Sequence, residues 1–258
     1  MHEYGGGAFA INQGKVYFSN FTDQRIYCQD QGGLPRPITP EGKRRYADMI
    51  VDRHRNRLIC VCEEHTDAGR EPVNSLISID LYGNEKEKEN EKTLVSGNDF
   101  YSSPRLSPDG SHLAWLTWNH PGMPWDGTEL WVGEIKKEGT LGLVKRVVGG
   151  VSESIFQPEW SPDGILHFVS DRTGCWNLYR CRKGHIEPII GMEVEFGAPQ
   201  WFFGMSTYAF ESSDNIICTY NEKGTWKLAS LDTVKQKLQL IKTPYTDISY
   251  LRAKNSQL

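Results

Sequence analysis

The chain has 258 residues, of which 38% are hydrophobic and 24% charged, and its net charge is −4. This composition predicts a globular protein, and charges of both signs along the chain argue against nucleic acid as a partner, which would favour a basic stripe. The sequence contains no apolar run of about 18 residues, so it predicts no membrane helix.

The N-terminus lacks the basic and apolar regions of a secretory signal. The six cysteines are sparse and have no disulfide-framework spacing, so we expect reduced thiols. These features predict a cytoplasmic protein, or one of an organelle stroma if a targeting segment precedes this sequence.

Short runs rich in Val, Ile, Tyr, Phe and Trp follow one another along the chain, each ended by Gly, Pro, Asn or Asp. No window of a dozen residues carries a helical apolar stripe, so the chain is predicted to be all-β. The runs group into units of four strands, which cover approximately residues 3–41, 46–97, 103–150, 157–191 and 198–244. In the fifth unit we take APQWFFG, residues 198–204, as the first strand, and a sixth unit begins at 248–251 with about one strand.

One phrase repeats: Pro104–Gly110 (PRLSPDG) returns as Pro158–Gly164 (PEWSPDG), and Ser161 stands 54 residues after Ser107. Four-stranded units of about 45–55 residues are typical of β-propeller blades. We therefore predict a single β-propeller domain over residues 1–258. Five units and one strand do not obviously close a ring, so we expect the propeller to be incomplete at both ends and to self-associate through open edges.

The turn SPDG has a conformational explanation, because Pro presets φ, Asp caps the turn and Gly takes the positive φ. Asp109 and Asp163 are therefore interpreted as turn residues rather than as a catalytic pair. Arg105 and Glu159 stand at the same place in two units. They would add polar character to a central channel if they face it, but strand alternation alone does not decide which face they use.

Cys60 and Cys62 point to one face of a strand, with His65 nearby, which could be half of a metal site. No second Cys/His pair with zinc-like spacing stands near them. We expect small buried hydrophobic residues instead, and we predict no metal and no cofactor.

Several phrases together resemble the propeller of the prolyl oligopeptidase family of serine peptidases, in its acylaminoacyl-peptidase and dipeptidyl-aminopeptidase-like branch. They are HEYGGGAF (2–9), VYFSN (16–20), DQRIY (23–27), PITP (37–40), SGNDFY (96–101), SPRLSPDGSHLAWLTWNHPGMPWDGTELWVGEI (103–135), FVSDRTG (168–174) and WNLY (176–179). The resemblance covers essentially the whole chain, and the loop NHPGMPWD is its most specific element.

This resemblance implies a seven-bladed propeller that caps an α/β-hydrolase domain and admits oligopeptides to a buried active site. The family's nucleophile is a Ser in a G-x-S-x-G elbow, whereas the nearest phrase here, Gly204–Tyr208 (GMSTY), lacks the second Gly. The chain would thus be non-catalytic, with no catalytic residues of its own. Its partners would be a hydrolase domain in cis and an oligopeptide, with neither nucleic acid nor membrane.

Two other functions remain open from the sequence. The first is a stand-alone propeller of the TolB or WD-repeat type that binds a protein partner, because SPDG also occurs in TolB-like propellers. The second is a metal-dependent lactonase-like propeller, which would need carboxylates and Asn side chains to converge at one channel mouth.

The third unit carries an insert of about six residues, since Gly110 to Glu129 spans 19 positions and Gly164 to Asn177 spans 13. The insert provides the candidate substrate or domain contacts Trp118, His120, Met123, Trp125 and Asp126. The competing interpretation is that its Pro and Trp residues pack the loop onto a neighbouring blade. Glu3 is a further candidate that could face the channel, because the run that follows it, Gly5 to Gly7, would permit a close backbone approach near the axis.

Overall fold

The computed structural model describes residues 5–66, 69, 71–82 and 90–253. This part of the chain contains 20 strands and no α-helix, in agreement with the all-β prediction. The strands form five four-stranded antiparallel sheets, and within each sheet neighbouring strands are consecutive in the chain. Each sheet therefore corresponds to one propeller blade.

The blades follow the order of the sequence units. Blade 1 contains β1 (Phe9–Asn12), β2 (Lys15–Ser19), β3 (Ile26–Gln29) and β4 (Arg36–Pro37). Blade 2 contains β5 (Arg44–Asp52), β6 (Arg57–Glu64), β7 (Val73–Asp80) and β8 (Glu91–Ser96). Blade 3 contains β9 (Phe100–Leu106), β10 (His112–Trp118), β11 (Glu129–Ile135) and β12 (Leu141–Gly149). Blade 4 contains β13 (Ile155–Trp160), β14 (Leu166–Ser170), β15 (Asn177–Arg182) and β16 (His185–Pro188). Blade 5 contains β17 (Tyr208–Phe210), β18 (Asn215–Glu222), β19 (Thr225–Asp232) and β20 (Lys237–Ile241).

Four apolar clusters hold the blades together, one between each consecutive pair. Between blades 2 and 3, for example, Val61 and Leu76 meet Tyr101 and Trp115, which are all fully buried. The strands alternate their side chains between the two faces of each sheet, so every blade from 2 to 4 packs on both sides. On blade 1, Phe9 and Ile11 are each 62% exposed.

Three inner strands carry a bulge at the same place. Asp48, Ser103 and Gln157 have positive φ angles of 50°, 53° and 47°, and the pairing register of β5, β9 and β13 shifts there. Each bulge joins the next blade or the previous one. Asp48 N donates to Gly7 O (2.8 Å), Ser103 N donates to Asp48 Oδ2 (2.6 Å), and Thr207 N donates to Gln157 Oε1 (2.7 Å).

The glycine run ahead of blade 1 permits a close approach of its backbone to the backbones of Phe203 and Asp48, as the absence of side chains predicts. A Cβ atom at Gly6 would overlap the carbonyl oxygen of Phe203, and one at Gly7 would stand 2.8 Å from the backbone of Asp48. Only glycine fits this contact between three parts of the chain.

Two segments, residues 198–204 and residues 248–253, differ from the sequence prediction. Residues 198–204 are not a strand of blade 5: Trp201 contacts Trp125 of blade 3 and Phe203 packs in the cluster between blades 2 and 3. The inner strand β17 of blade 5 is only three residues long. Residues 248–253 lie beside blade 5 without forming a sheet strand. They are held by the bonds from Leu251 N to Ser206 O (3.2 Å) and from Ser206 Oγ to Leu251 O (2.8 Å).

Candidate functional site

The inner strands of all five blades surround one central cavity of about 850 Å³. Its lining includes residues from β1, β5, β9, β13 and β17, together with the segment 250–253. This cavity lies on the axis that the radial stacking of the blades creates, so it is the channel of the propeller.

One wall of the cavity is polar and carries an ion-pair chain across three blades. Arg105 Nε lies 2.7 Å from Glu159 Oε1, and Arg105 Nη1 lies 3.8 Å from Asp48 Oδ1. Burial raises the pKa of Asp48, while Glu159 and Asp48 together raise the pKa of the Arg105 guanidinium against the effect of burial. Arg105 and Glu159 thus face the channel and neutralise each other there.

A second buried polar group lies next to this chain. The side chain of Gln157 donates from Nε2 to Tyr208 O (2.7 Å), and Tyr208 donates from its hydroxyl to Gln157 O (2.9 Å). Burial raises the pKa of Tyr208, so its phenol stays protonated. These bonds fix β17 against β13 at the cavity wall.

The remaining wall is apolar and includes Phe9, Ile11, Ile50, Phe210 and Tyr250. A cavity with one fixed polar wall and one apolar wall can accommodate a chain that carries both backbone amides and hydrophobic side chains. Its described lining residues offer binding surfaces. Ser206 is buried, donates to Leu251 O and lies in no strand-to-helix turn, so it is not a nucleophile elbow.

The segment 198–205, which connects blades 4 and 5, crosses the propeller at the end where the insert lies. Gln200 Nε2 donates to Ile155 O of blade 4 (2.8 Å), and the ring of Trp201 lies 4.3 Å from that of Trp125 in blade 3. Phe203 N donates to Gly5 O (3.0 Å) ahead of blade 1. This crossing segment and Ser103 line a small recess. Phe203 and Gly204 of the segment also line the adjacent edge of the central cavity.

The first part of the insert surrounds Phe100. Trp118 is buried and stacks on Phe100 with ring centroids 5.3 Å apart, and the exposed His120 meets the same ring edge-on at 4.9 Å. His120 N also donates to Asp99 Oδ2 (2.9 Å). Trp118 and His120 are thus positioned by the start of β9 in their own blade.

The second part of the insert closes on itself and reaches the crossing segment. Met123 N donates to Asp126 Oδ2 (2.9 Å), so Asp126 stabilises the loop backbone. Ser154 Oγ donates to Pro124 O (2.8 Å), which attaches the loop to blade 4, while half-buried Trp125 contacts Trp201. The five candidates of the insert therefore form two groups, and Glu3 lies outside the described residues.

The described residues contain no group of three or more His, Cys, Asp or Glu that could hold a metal ion. Cys60 and Cys62 are buried in the cluster between blades 1 and 2, and burial raises the pKa of Cys62 to about 12. His65 instead faces Glu63, with Nε2 3.3 Å from Oε2. The cysteines are therefore small buried side chains, as the absence of a second ligand pair predicts.

The SPDG turns have the structural role that was predicted for them. Asp109 accepts hydrogen bonds from Ser107 Oγ (2.6 Å) and Ser111 N (3.0 Å), and these bonds lower its pKa to about 2. Asp163 accepts the same bond from Ser161 Oγ (2.5 Å). The two carboxylates close equivalent hairpins in adjacent blades.

The sequence did not indicate Asp48, Gln157 or Trp201 as site residues. A shared pattern was nevertheless present at two bulges, Ser103-Pro104-Arg105 and Gln157-Pro158-Glu159. In both, the bulge residue precedes a proline that is followed by a charged residue. The contact between Trp125 and Trp201 joins residues far apart in the sequence, and no local pattern reports it.

Neither a comparison with protein-family models nor one with curated protein sequences gives a match. Among solved structures, puromycin hydrolase is similar to 98% of this chain at 34% identity and a TM-score of 0.90. A puromycin-hydrolyzing peptidase of Mycobacterium tuberculosis is similar to 95% of the chain at 35% identity and a TM-score of 0.87. Prolyl oligopeptidase B of Galerina marginata shares the fold over 94% of the chain, at 10% identity and a TM-score of 0.67.

The chain is a β-propeller of the prolyl oligopeptidase type. It spans 41% of the length of puromycin hydrolase, 40% of the mycobacterial peptidase and 35% of the oligopeptidase. This oligopeptidase-type propeller has the predicted four-stranded blades, and the resemblance that the insert and the blade phrases carry is confirmed. In the described part of the chain no helix is long and apolar enough to span a membrane.

Proposed function

We propose that this propeller is the non-catalytic, substrate-admitting portion of a serine peptidase that hydrolyses peptides. The similarity to two puromycin-hydrolysing proteins at 34% and 35% identity is the observation that carries this proposal. Those neighbours hold their propeller in cis with a catalytic hydrolase domain. The reaction would then take place in such a hydrolase domain, and the propeller would control which substrates reach it.

The central cavity supports a role in admitting peptides. Its ion-pair chain joins the Arg105 guanidinium to the carboxylates of Asp48 and Glu159, so it offers hydrogen-bonding groups with no more than one unbalanced negative charge. An extended oligopeptide can satisfy its amides on this wall and rest its side chains on the apolar wall. The crossing segment narrows one end of this path, because Phe203 and Gly204 line both the recess and the cavity.

The insert is the surface that we propose for contact with the catalytic domain. It lies on the β10–β11 connection, at the end of the blade opposite the SPDG hairpin. Trp125 and Trp201 meet there, Trp201 is 60% exposed, and nearby Val151 is 97% exposed. Aromatic side chains at a surface are enriched in protein interfaces, so this group suits a partner domain better than solvent.

The first experiment tests the chain alone. Purified chain is offered puromycin and acyl-amino-acid or dipeptidyl nitroanilides, and we expect no hydrolysis because Ser206 is not activated. Turnover that copurifies with the chain through repeated chromatography would refute the non-catalytic role.

The second experiment uses the whole protein that contains this propeller. We expect Phe203→Ala to raise kcat/KM for a peptide of about ten residues relative to a dipeptidyl nitroanilide, because it widens the crossing segment. Phe168→Ala, which also removes a buried phenylalanine from a cluster between two blades but lies outside the cavity lining, is the matched control. An equal change for both substrates would contradict a gating role of the crossing segment.

Two further expectations accompany this proposal. All six cysteines are free, which supports a reducing compartment such as the cytoplasm. Phe9 and Ile11 of the inner strand β1 are each 62% exposed beside the cavity, and this exposed apolar surface supports self-association, which sizing chromatography of the chain measures.

A further inference from the structure

A second cavity lies away from the channel, between blades 3 and 4 on the side of the SPDG turns. We call it the turn-side groove. It has a volume of about 520 Å³, and its lining includes His112, Glu134 and Lys145 of blade 3 with Trp160 and Gly184 of blade 4. Cavities of roughly 300–1,000 Å³ are the size that small ligands or single side chains with their backbone occupy.

The equivalent space between blades 2 and 3 is a cavity of about 420 Å³, and an arginine of the chain itself crosses it. Arg57 is the first residue of β6 and is only 8% exposed. Its Nη1 donates to Gly139 O (2.7 Å) in the outer hairpin of blade 3, and its Nε lies 2.9 Å from Asp52 Oδ2. A guanidinium group therefore bridges these two blades.

His112 holds the corresponding position between blades 3 and 4. It is the first residue of β10, and Leu113 after it packs toward the preceding blade as Leu58 does after Arg57. The imidazole is too short to cross, and its Nδ1 lies 2.7 Å from Ser111 Oγ of its own turn. The outer hairpin of blade 4, at Gly184, forms the far side of the turn-side groove. The side chain of His112 does not reach across this groove as the Arg57 guanidinium group does between blades 2 and 3.

The charges around this place suit a cation. Glu134 is exposed and stands directly opposite His112 in the pairing of β10 and β11. Asp109 and Asp163 line the same groove from the two turns, and Lys145 is the one lysine or arginine among its described lining residues. The carboxylates therefore outnumber the cation.

The groove also has surfaces for the rest of a basic side chain. The ring of Trp160 lies 6.1 Å from that of His112, which provides an aromatic face for a guanidinium group. Val132, Leu143 and Leu166 add apolar surface along which the methylene groups of arginine can lie.

We propose that the turn-side groove binds the guanidinium group of an arginine side chain from a partner polypeptide. The arginine would take the place between blades 3 and 4 that Arg57 takes between blades 2 and 3. The turn-side groove shares no described lining residue with the central cavity.

The test titrates the full chain with N-acetyl-arginine amide and follows the Trp160 indole N–H resonance, assigned with W160F. We expect a saturable shift that N-acetyl-citrulline amide, the neutral isostere, does not produce. The variant His112→Arg should abolish the shift, because the chain then supplies its own guanidinium group. Equal shifts with both ligands, no saturable shift with either, or unchanged binding by H112R would overturn the proposal.

A second variant tests the charge without altering the blade interface. Glu134→Gln is an exposed substitution, and we expect it to weaken binding about two- to fivefold, the range of one solvent-exposed ion pair. Glu193→Gln, at an exposed position outside the groove, is the matched control and should leave the affinity unchanged. Equal affinities of E134Q and the unmodified chain would contradict an electrostatic site at this groove, whatever the fate of H112R.

Discussion

His167 provides a direct test of how blades 4 and 5 pack. Its side chain is only 2% exposed, its Nδ1 lies 2.9 Å from Ile165 O, and its ring meets Phe210 edge-on with centroids 4.9 Å apart. Burial lowers its pKa from 6.5 to about 4, and the nearby Arg180 and Arg182 add to this effect. The folded protein therefore keeps this imidazole neutral.

The sign of the resulting pH dependence follows from linkage. Between pH 6.5 and 4 the unfolded chain binds a proton at His167 that the folded chain does not bind, so the free energy of unfolding falls as the pH falls through this window. The fall of the His167 pKa from 6.5 to about 4 corresponds to about 3 kcal/mol of unfolding free energy, and roughly 2 kcal/mol of this is lost between pH 7 and pH 5. Above pH 6.5 the contribution is fully present.

The assay is chemical denaturation of the chain and of His167→Asn at pH 7 and pH 5. The Asn amide can still donate to the Ile165 carbonyl but does not titrate, so the difference in unfolding free energy between the two pH values should shrink by about 2 kcal/mol in the variant. His185→Asn, at an exposed position, is the control and should retain the pH dependence. The same pH dependence in the chain and in H167N would refute the assignment to His167.

The remaining predictions concern buried groups of the blades. Gln157→Ala leaves the Thr207 N–H without its acceptor inside the protein and should lower the free energy of unfolding by about 2–4 kcal/mol, measured by denaturation with the isosteric Gln157→Glu as comparison. Arg105→Met leaves Asp48 buried without its cation and should cost about 3–5 kcal/mol, whereas adding Asp48→Asn should recover part of the loss; no recovery would argue against the ion pair as the cause. The Cys62 thiol, whose pKa burial raises to about 12, should react with a thiol reagent only after unfolding, and fast reaction in the native chain would contradict its burial.

The short apolar runs and the repeated SPDG turn together predicted the four-stranded blades, because turn residues act locally. Asp109 and Asp163 each bond to groups within two residues, and that chemistry is legible in the sequence. The direction of Arg105 was not predictable in the same way. The bulge at Ser103 inserts a residue into the inner strand and reverses the alternation of the side chains after it, so counting along the strand cannot assign the face.

The crossing segment shows a different limit of sequence reasoning. Residues 198–204 have the composition of a strand, with three aromatic residues between small ones, and their prediction as a strand was wrong. Their conformation is decided by contacts with Trp125 in blade 3 and with the glycines before blade 1. Such contacts join residues separated by dozens of positions, and tertiary packing of this kind overrides local β-propensity.

A comparison of equivalent positions in different blades distinguishes residues that maintain the fold from residues that are available for binding. Where two blades agree, as at the SPDG turns, the residues have a purely structural explanation. Where they differ, the difference requires an explanation of its own. His112 stands where Arg57 bridges two blades, so the groove beside His112 has carboxylates in its lining but no guanidinium group that crosses it. The insert after Trp118 is a second such difference, and it supplies the aromatic surface at the opposite end of the same blade. Blade 3 is therefore the blade on which substitutions should separate binding from stability: the insert and the turn-side groove lie at its two ends, while its apolar faces pack on both neighbours.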